Sequence, residues 1–191
     1  MTARAASPKT RLADAALRLL ARRSWGDLSL AEVARGAKLP LATLQDVAPS
    51  KAALIGFVLA RLGEATAAAY RPGRDAGSAR DRLFDVGMAW FDVLARHKKA
   101  VRHLYEGLRG DPVLMLSLRG EFVAAASWLM TLAEADAGPA LALRALAFAL
   151  ALGRAVPVWL DDDADLTKTM ARLDGDLARG ADWLSLLTPK A

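Results

Sequence analysis

The stretch from Ser29 to Leu54, SLAEVARGAKLPLATLQDVAPSKAAL, decides how the rest of the chain is read. Ser29 and Glu32 stand at capping-box spacing, so that the serine hydroxyl meets the glutamate N–H while the carboxylate reaches back. A short helix therefore begins at Leu30 and runs to about Ala37, and another spans about Leu41 to Val47. Ser50, after Pro49, caps a long helix that carries Leu54, Phe57, Val58, Arg61 and Leu62 toward Tyr70. Upstream, Ser7 and Pro8 supply an N-cap and a proline at the first helical position, and Leu12, Ala16, Leu19 and Leu20 recur on one face as far as Arg23. Trp25 and Gly26 make the turn that follows.

Downstream, RPGRDAGS at 71–78 is the clearest linker, and the expected division is a head over 1–61 and a helical body over 62–191. Leu83, Phe84, Gly87, Met88, Phe91, Leu94 and Ala95 follow a 3.6-residue period. A short helix runs from about Lys99 to Leu108. Asp111 and Pro112 then start a long one to Ala135, bent at Gly120. The apolar stretch from Ala140 to Leu160 is interrupted by Arg144 and Arg154 and bent by Pro157, which reads as a buried helix rather than a membrane span. The last helix spaces Leu166, Met170, Leu173, Leu177, Leu184 and Leu187 along one side. No period-two β-branched run occurs, so the expected fold is all-α, with about nine helices.

The chain contains no cysteine, which excludes disulfides, thiolate metal sites and cysteine nucleophiles. Its N-terminus lacks the apolar core of a signal peptide, and the expected location is the cytoplasm. Residues 1–61 carry ten Lys and Arg against four Asp and Glu, whereas 62–191 carry sixteen against seventeen. The basic surplus thus sits in the head, as expected where one end meets a polyanion. Phosphates of nucleic acid and of anionic lipid satisfy that pattern equally well.

Three short helices with a basic surface, joined to a fourth that enters an apolar helical body, resemble the TetR family of regulators. The residues that carry the resemblance are ADAALRLLARRSW in the first helix, LSLAEVARGA in the second, LATL opening the third and PSKAAL entering the fourth. The resemblance implies that the third helix enters the major groove of operator DNA, while the body binds an effector and pairs two subunits. On this reading Thr43 and Gln45 read base edges, and Arg4, Lys9, Arg11, Arg35, Lys38 and Lys51 meet phosphates. The chain departs from the family pattern at the turn, where Lys38 replaces glycine, and at Pro40, which replaces a Ser or Thr cap. It departs again at Gln45, Asp46, Val47 and Ala48, which replace an aromatic-rich ending.

A second resemblance lies in VWLDDDADLTKTMARLDGDL, Val158 to Leu177, which is similar to the C-terminal signature of a TetR-fold, lipid-binding accessory family of ubiquinone biosynthesis. Its matching positions are Trp159, Asp161, Asp162, Asp165, Thr169, Leu173 and Asp174. This resemblance implies an isoprenoid lipid in the body, a vestigial head that does not bind DNA, and a membrane-facing end at Trp183, Leu184, Leu186 and Leu187.

Phe84, Met88, Phe91, Tyr105, Met115, Phe122 and Trp128 are candidates to line a cavity for a small apolar ligand or lipid, with His103 and Arg119 as polar handles. Ordinary core packing explains the same stripes equally well. The acidic run Asp161 to Asp165 lacks the glycine turn and terminal bidentate glutamate of a calcium loop, and reads as a solvated, helix-capping turn. His97 and His103 lie among cations, which argues for surface positions and against metal. No catalytic constellation, metal site or cofactor is expected. The last two long helices are apolar enough to need a partner, so the expected assembly is a homodimer through them.

Overall fold

A computed structural model describes residues 6–73 and 77–187, with side chains as far as 180. Arg4 and the side chains of Trp183, Leu184, Leu186 and Leu187 lie outside the described residues. Ten helices and no strand occur among the described residues: α1 (Pro8–Leu20), α2 (Leu30–Gly36), α3 (Leu41–Val47), α4 (Lys51–Ala69), α5 (Ala79–Ala95), α6 (Lys98–Arg109), α7 (Pro112–Ser117), α8 (Arg119–Leu132), α9 (Leu141–Leu160) and α10 (Thr167–Leu187). The capping signals act where the sequence puts them. Ser7 accepts from the Thr10 amide, both halves of the Ser29/Glu32 box form, and Ser50 and Asp111 accept from Ala53 and Leu114.

The count is ten rather than nine because the single helix expected from Asp111 to Ala135 is broken at Leu118 and ends early. Ser117 turns its hydroxyl back onto the Leu114 carbonyl at 2.7 Å, and the Leu118 amide is shared between the Leu114 and Met115 carbonyls at 3.1 and 3.3 Å. Such competition tightens the ladder locally. Leu118 itself is fully buried. Gly120, the expected bend, lies inside α8.

The chain divides into two compact units, one made of residues up to Leu62 together with Arg96–Glu121, the other of Gly63–Ala95 and the residues from Phe122 onward. In the first, α1 packs on α2 and α6, and α2 on α3. Its core includes Leu12, Leu20, Trp25, Leu28, Val33 and Leu54, each buried. Arg61 of α4 donates to Asp14 of α1 at 2.9 Å. Both histidines are half-buried rather than on the surface, which corrects the expectation from their cationic neighbours. The cause is α6, whose packing on α1 brings His103 Nδ1 to the Leu20 carbonyl at 2.7 Å. A carbonyl only accepts, so this nitrogen carries the proton. Burial holds the His97 pKa below its ordinary value, opposed by Asp14 and aided by Arg61 and Arg96.

In the second unit α10 packs on α5 and α9. Phe91 of α5 is wholly buried, with the Trp90 ring edge-on at 5.3 Å and the Trp159 ring at 5.8 Å. Gly87 lets α5 approach α10, since a Cβ there would lie 2.8 Å from Leu173 Cδ2. Asp176 is buried and shared by Arg172 at 2.8 Å, by Arg179, and by Arg154 of α9 at 3.7 Å. Burial pushes its carboxyl pKa up, yet the bonds from Arg179 and Arg172 outweigh that, leaving it below the usual value.

The acidic run between α9 and α10 does cap a helix, but Asp162 is buried rather than solvated. Thr169 donates both its amide and its hydroxyl to Asp162 Oδ2 at 2.7 Å, and the Asp163 amide donates to Oδ1 at 3.0 Å. Four more positions of that signature have concrete work: Trp159 and Leu173 fill the core, Asp165 accepts from Thr167, and Asp174 accepts from Arg80 at 2.6 Å. The Thr169 hydroxyl is foremost in holding the Asp162 carboxyl below the usual aspartate pKa. A depressed carboxyl stabilises the fold above its unfolded pKa, and that stabilisation is lost as the pH falls through the folded value. Thr169→Val is expected to lower the urea midpoint at neutral pH and to flatten its fall below about pH 4, measured as urea midpoints against pH. An unchanged acid limb would show that the pair does not couple to folding.

Both α4 and α9 are long and apolar enough to cross a membrane by length and composition. Each buries one face: Leu54, Ile55, Val58 and Leu62 on α4, and Phe148, Leu152, Ala155 and Trp159 on α9. The apolar stretch at 140–160 thus contributes to the core, while Leu141, Leu146 and Leu150 stay exposed on its other side.

Candidate nucleic-acid interface

α2 and α3 are joined by a turn whose geometry follows from the end of α2. The Leu39 amide bonds to the Ala34 carbonyl at 2.9 Å and the Lys38 amide to Arg35 at 3.0 Å, the paired bonds of a Schellman ending. That ending needs a left-handed residue after the cap, and Lys38 supplies it with φ of 55°. Glycine would adopt this conformation without penalty, whereas lysine crowds its own Cβ. α3 then starts after Pro40, which has no side chain to cap it.

On α3 only Leu44 is buried. Leu41, Ala42, Gln45 and Asp46 are exposed, and Thr43 is half-buried against its own unit. The solvent side of this helix therefore carries two apolar groups, one amide and one carboxylate. Leu41, 60% exposed, is a residue that sequence reasoning missed, because an apolar residue at helical spacing reads as core. Gln45 offers a donor and an acceptor, the chemistry that pairs with adenine, and Leu41 and Ala42 suit a thymine methyl.

The basic residues separate into two sets. Arg35 and Lys38 are exposed at the turn. The other described members, Arg11, Lys51 and Lys9, have contacts within the unit. Arg11 donates to the Ala37 and Lys38 carbonyls at 2.6 and 2.7 Å, and Lys51 donates to the Trp25 carbonyl at 3.1 Å while lying 5.0 Å from that indole's centre. Lys9 lies 5.3 Å from the Phe57 ring centre and keeps an exposed side chain. Arg18, which sequence reasoning passed over, donates to the Gly36 carbonyl at 3.1 Å.

The candidate ligand residues fall into both units. Phe84, Met88, Phe91, Phe122 and Trp128 belong to the second, where Phe91 is core and Trp128 is 44% exposed. Trp128 lies over Gly63, where a Cβ would come within 2.8 Å of the indole. His103, Tyr105, Met115 and Arg119 belong to the first, with Met115 and Arg119 exposed. A groove of about 380 Å3 is lined by Ala15, Arg18, Leu19, Ala21, Arg22 and Gly36, and by none of these nine. Among the described residues no three His, Asp or Glu side chains converge as a metal ion would require.

No protein-family profile matches the chain, and no curated protein matches it. Solved structures do. A TetR transcriptional regulator from Rhodococcus sp. RHA1 superposes with a TM-score of 0.61 at 18% identity, over 96% of this chain and 99% of that one. A TetR-family transcriptional regulator from Streptomyces coelicolor gives 0.51 at 20% identity, over 93% of this chain and 83% of that one. The likeness is one of fold, and it extends over nearly the whole length.

Proposed function

We propose that the chain is a TetR-type transcriptional regulator that binds operator DNA through α2 and α3, binds a small apolar effector in its helical body, and acts in the cytoplasm without catalytic activity. The observation that carries this reading is the full-length likeness in fold to TetR-type regulators, combined with a helix-turn-helix whose outer side is exposed. Gln45 and Leu41 are the base-reading groups, and Arg35 and Lys38 the phosphate-facing cations. The DNA-binding head is residues 1–61, completed within its compact unit by α6 and α7. Dimerisation uses α9 and α10, where Leu146, Leu150 and Met170 are exposed apolar side chains without a partner in the monomer's core. An effector that binds one arrangement of the body better than another shifts the pair toward it, and with it the fit to two half-sites.

Native mass spectrometry of the purified protein, organic extraction of any cargo, and enrichment of fragments from genomic DNA test this together. The expected result is a dimer that enriches a fragment containing a two-fold repeat. Gln45→Ala with Lys38→Ala is expected to weaken that complex at least about tenfold and to reduce its salt slope by about one. Leu146→Glu with Leu150→Glu is expected to yield monomers. A protein loaded with isoprenoid lipid that enriches no DNA would replace this reading with the lipid-accessory one. In the Trp159 to Asp174 signature, Trp159 and Leu173 pack in the core, Thr169 bonds Asp162 and Asp174 pairs with Arg80, roles that serve either reading.

A further inference from the structure

Lys38 and Glu134 end different helices in different units, yet their surroundings match. Lys38 has φ of 55° and Glu134 has 49°, each at the position after a helix cap where glycine is favoured. At the end of α8 the Ala135 amide bonds to Met130 at 2.9 Å and the Glu134 amide to Thr131 at 3.1 Å, the same pair of bonds that closes α2. In both places an arginine from another helix donates to the carbonyls of the cap residue and of the left-handed residue itself. Arg11 of α1 takes Ala37 and Lys38 at 2.6 and 2.7 Å; Arg82 of α5 takes Ala133 and Glu134 at 2.7 and 3.2 Å.

We propose that this arginine clamp is what keeps a non-glycine residue in the left-handed turn, and that Arg11 is thereby a positioning residue for DNA recognition rather than a contact to phosphate. The carbonyls at a helix C-terminus form the negative end of its dipole, so a guanidinium held there makes charge-assisted bonds that favour the turn over its alternatives. At α2 the clamp is extended by Arg18 on the Gly36 carbonyl, so three successive carbonyls are tied to one face of α1. α3 begins at Leu41 with no side-chain cap of its own, and its direction is inherited from this turn. The clamp stands on geometry alone; its consequence for DNA rests on the regulator reading.

Lysine at position 11 separates the two roles, because an ammonium neutralises a phosphate but does not reproduce the planar guanidinium donor set. Urea unfolding and the anisotropy of a labelled duplex, enriched by the wild-type protein from a random-sequence pool, are measured for Arg11→Lys, Arg11→Gln and Lys38→Gly, alone and combined. Both Arg11 variants are expected to lower the folding equilibrium constant about tenfold with Lys38 present, and about threefold or less in the Lys38→Gly background. Arg82→Gln is expected to show the same relief with Glu134→Gly. Both Arg11 variants should weaken the duplex equally and leave the slope of log affinity against log salt unchanged between about 50 and 200 mM.

The proposal is overturned if Arg11→Lys keeps wild-type affinity while Arg11→Gln lowers the slope by about 0.9, which is phosphate contact. It is also overturned if positions 11 and 38 contribute independently to unfolding. A wild-type protein that enriches no duplex removes the regulator reading and the positioning role with it, while the unfolding coupling still decides the clamp.

Discussion

Trp159→Ala is expected to lower the stability of the fold by about 3–5 kcal/mol, a large share of the roughly 5–15 kcal/mol that holds a typical domain together. The indole is 1% exposed, at the end of α9, and lies against Phe91, which in turn meets Trp90. Truncation leaves a void among aromatic rings and helix backbones, which relax only in part. Denaturant unfolding followed by circular dichroism measures the loss, with Trp128→Ala as a comparison at an exposed indole. A Trp159 variant that unfolds at the wild-type midpoint would mean that the rings do not form the core described above. A loss of this size would also explain why a tryptophan stands at the head of the acidic signature without any appeal to a ligand.

Trp25→Ala is expected to cost a similar amount, about 3–5 kcal/mol, for a different reason. This indole follows α1 and is 5% exposed. α6 makes room for it with Gly107: a Cβ at that position would lie 2.5 Å from Trp25 Cβ and 2.9 Å from the ring. Gly107→Ala should therefore be destabilising by about 1–3 kcal/mol, as overpacking usually is. In the Trp25→Ala background the same change should cost less without becoming neutral, because the ring contacts at 2.9 Å are gone while the Cβ at 2.5 Å stays. Losses that simply add in the double variant would place the two residues out of contact. Lys51 completes the arrangement, with its ammonium over the ring and on the Trp25 carbonyl.

The parts of the fold that sequence reasoning reached are those fixed by neighbours a few residues apart. Ser7, the Ser29/Glu32 box, Ser50 and Asp111 all act within one helical turn, and each begins a helix where it stands. The break at Leu118 and the end of α8 at Leu132 escaped because neither carries the glycine or proline that usually marks such a point. Lys38 and Glu134 occupy glycine positions with the help of arginines far away in sequence, and nothing local announces that. Charge sign alone is silent in a comparable way. Arg11 and Lys51 count toward the basic surplus of the head, but a guanidinium that ties down carbonyls and an ammonium over an indole look no different in sequence from cations turned to solvent. Asp162 was hidden in an acidic run whose other members are exposed, and its only signal was Thr169, beyond the turn in the first turn of α10.

The interleaving of the two units limits how this protein can be cut and rejoined. Residues 96–121 return to the unit that begins the chain after an excursion through 63–95. A fragment ending near Leu62 would lose the α6 carbonyl partner His103 and the recess at Gly107 that receives Trp25, leaving an apolar indole bare. Folding of the first unit must also close a loop around the intervening segment, an entropic cost that local helix contacts alone do not face. Grafting this head onto another body would therefore mean carrying α6 and α7 along as part of the graft; a chimera joined at a single point should precipitate or stay partly unfolded.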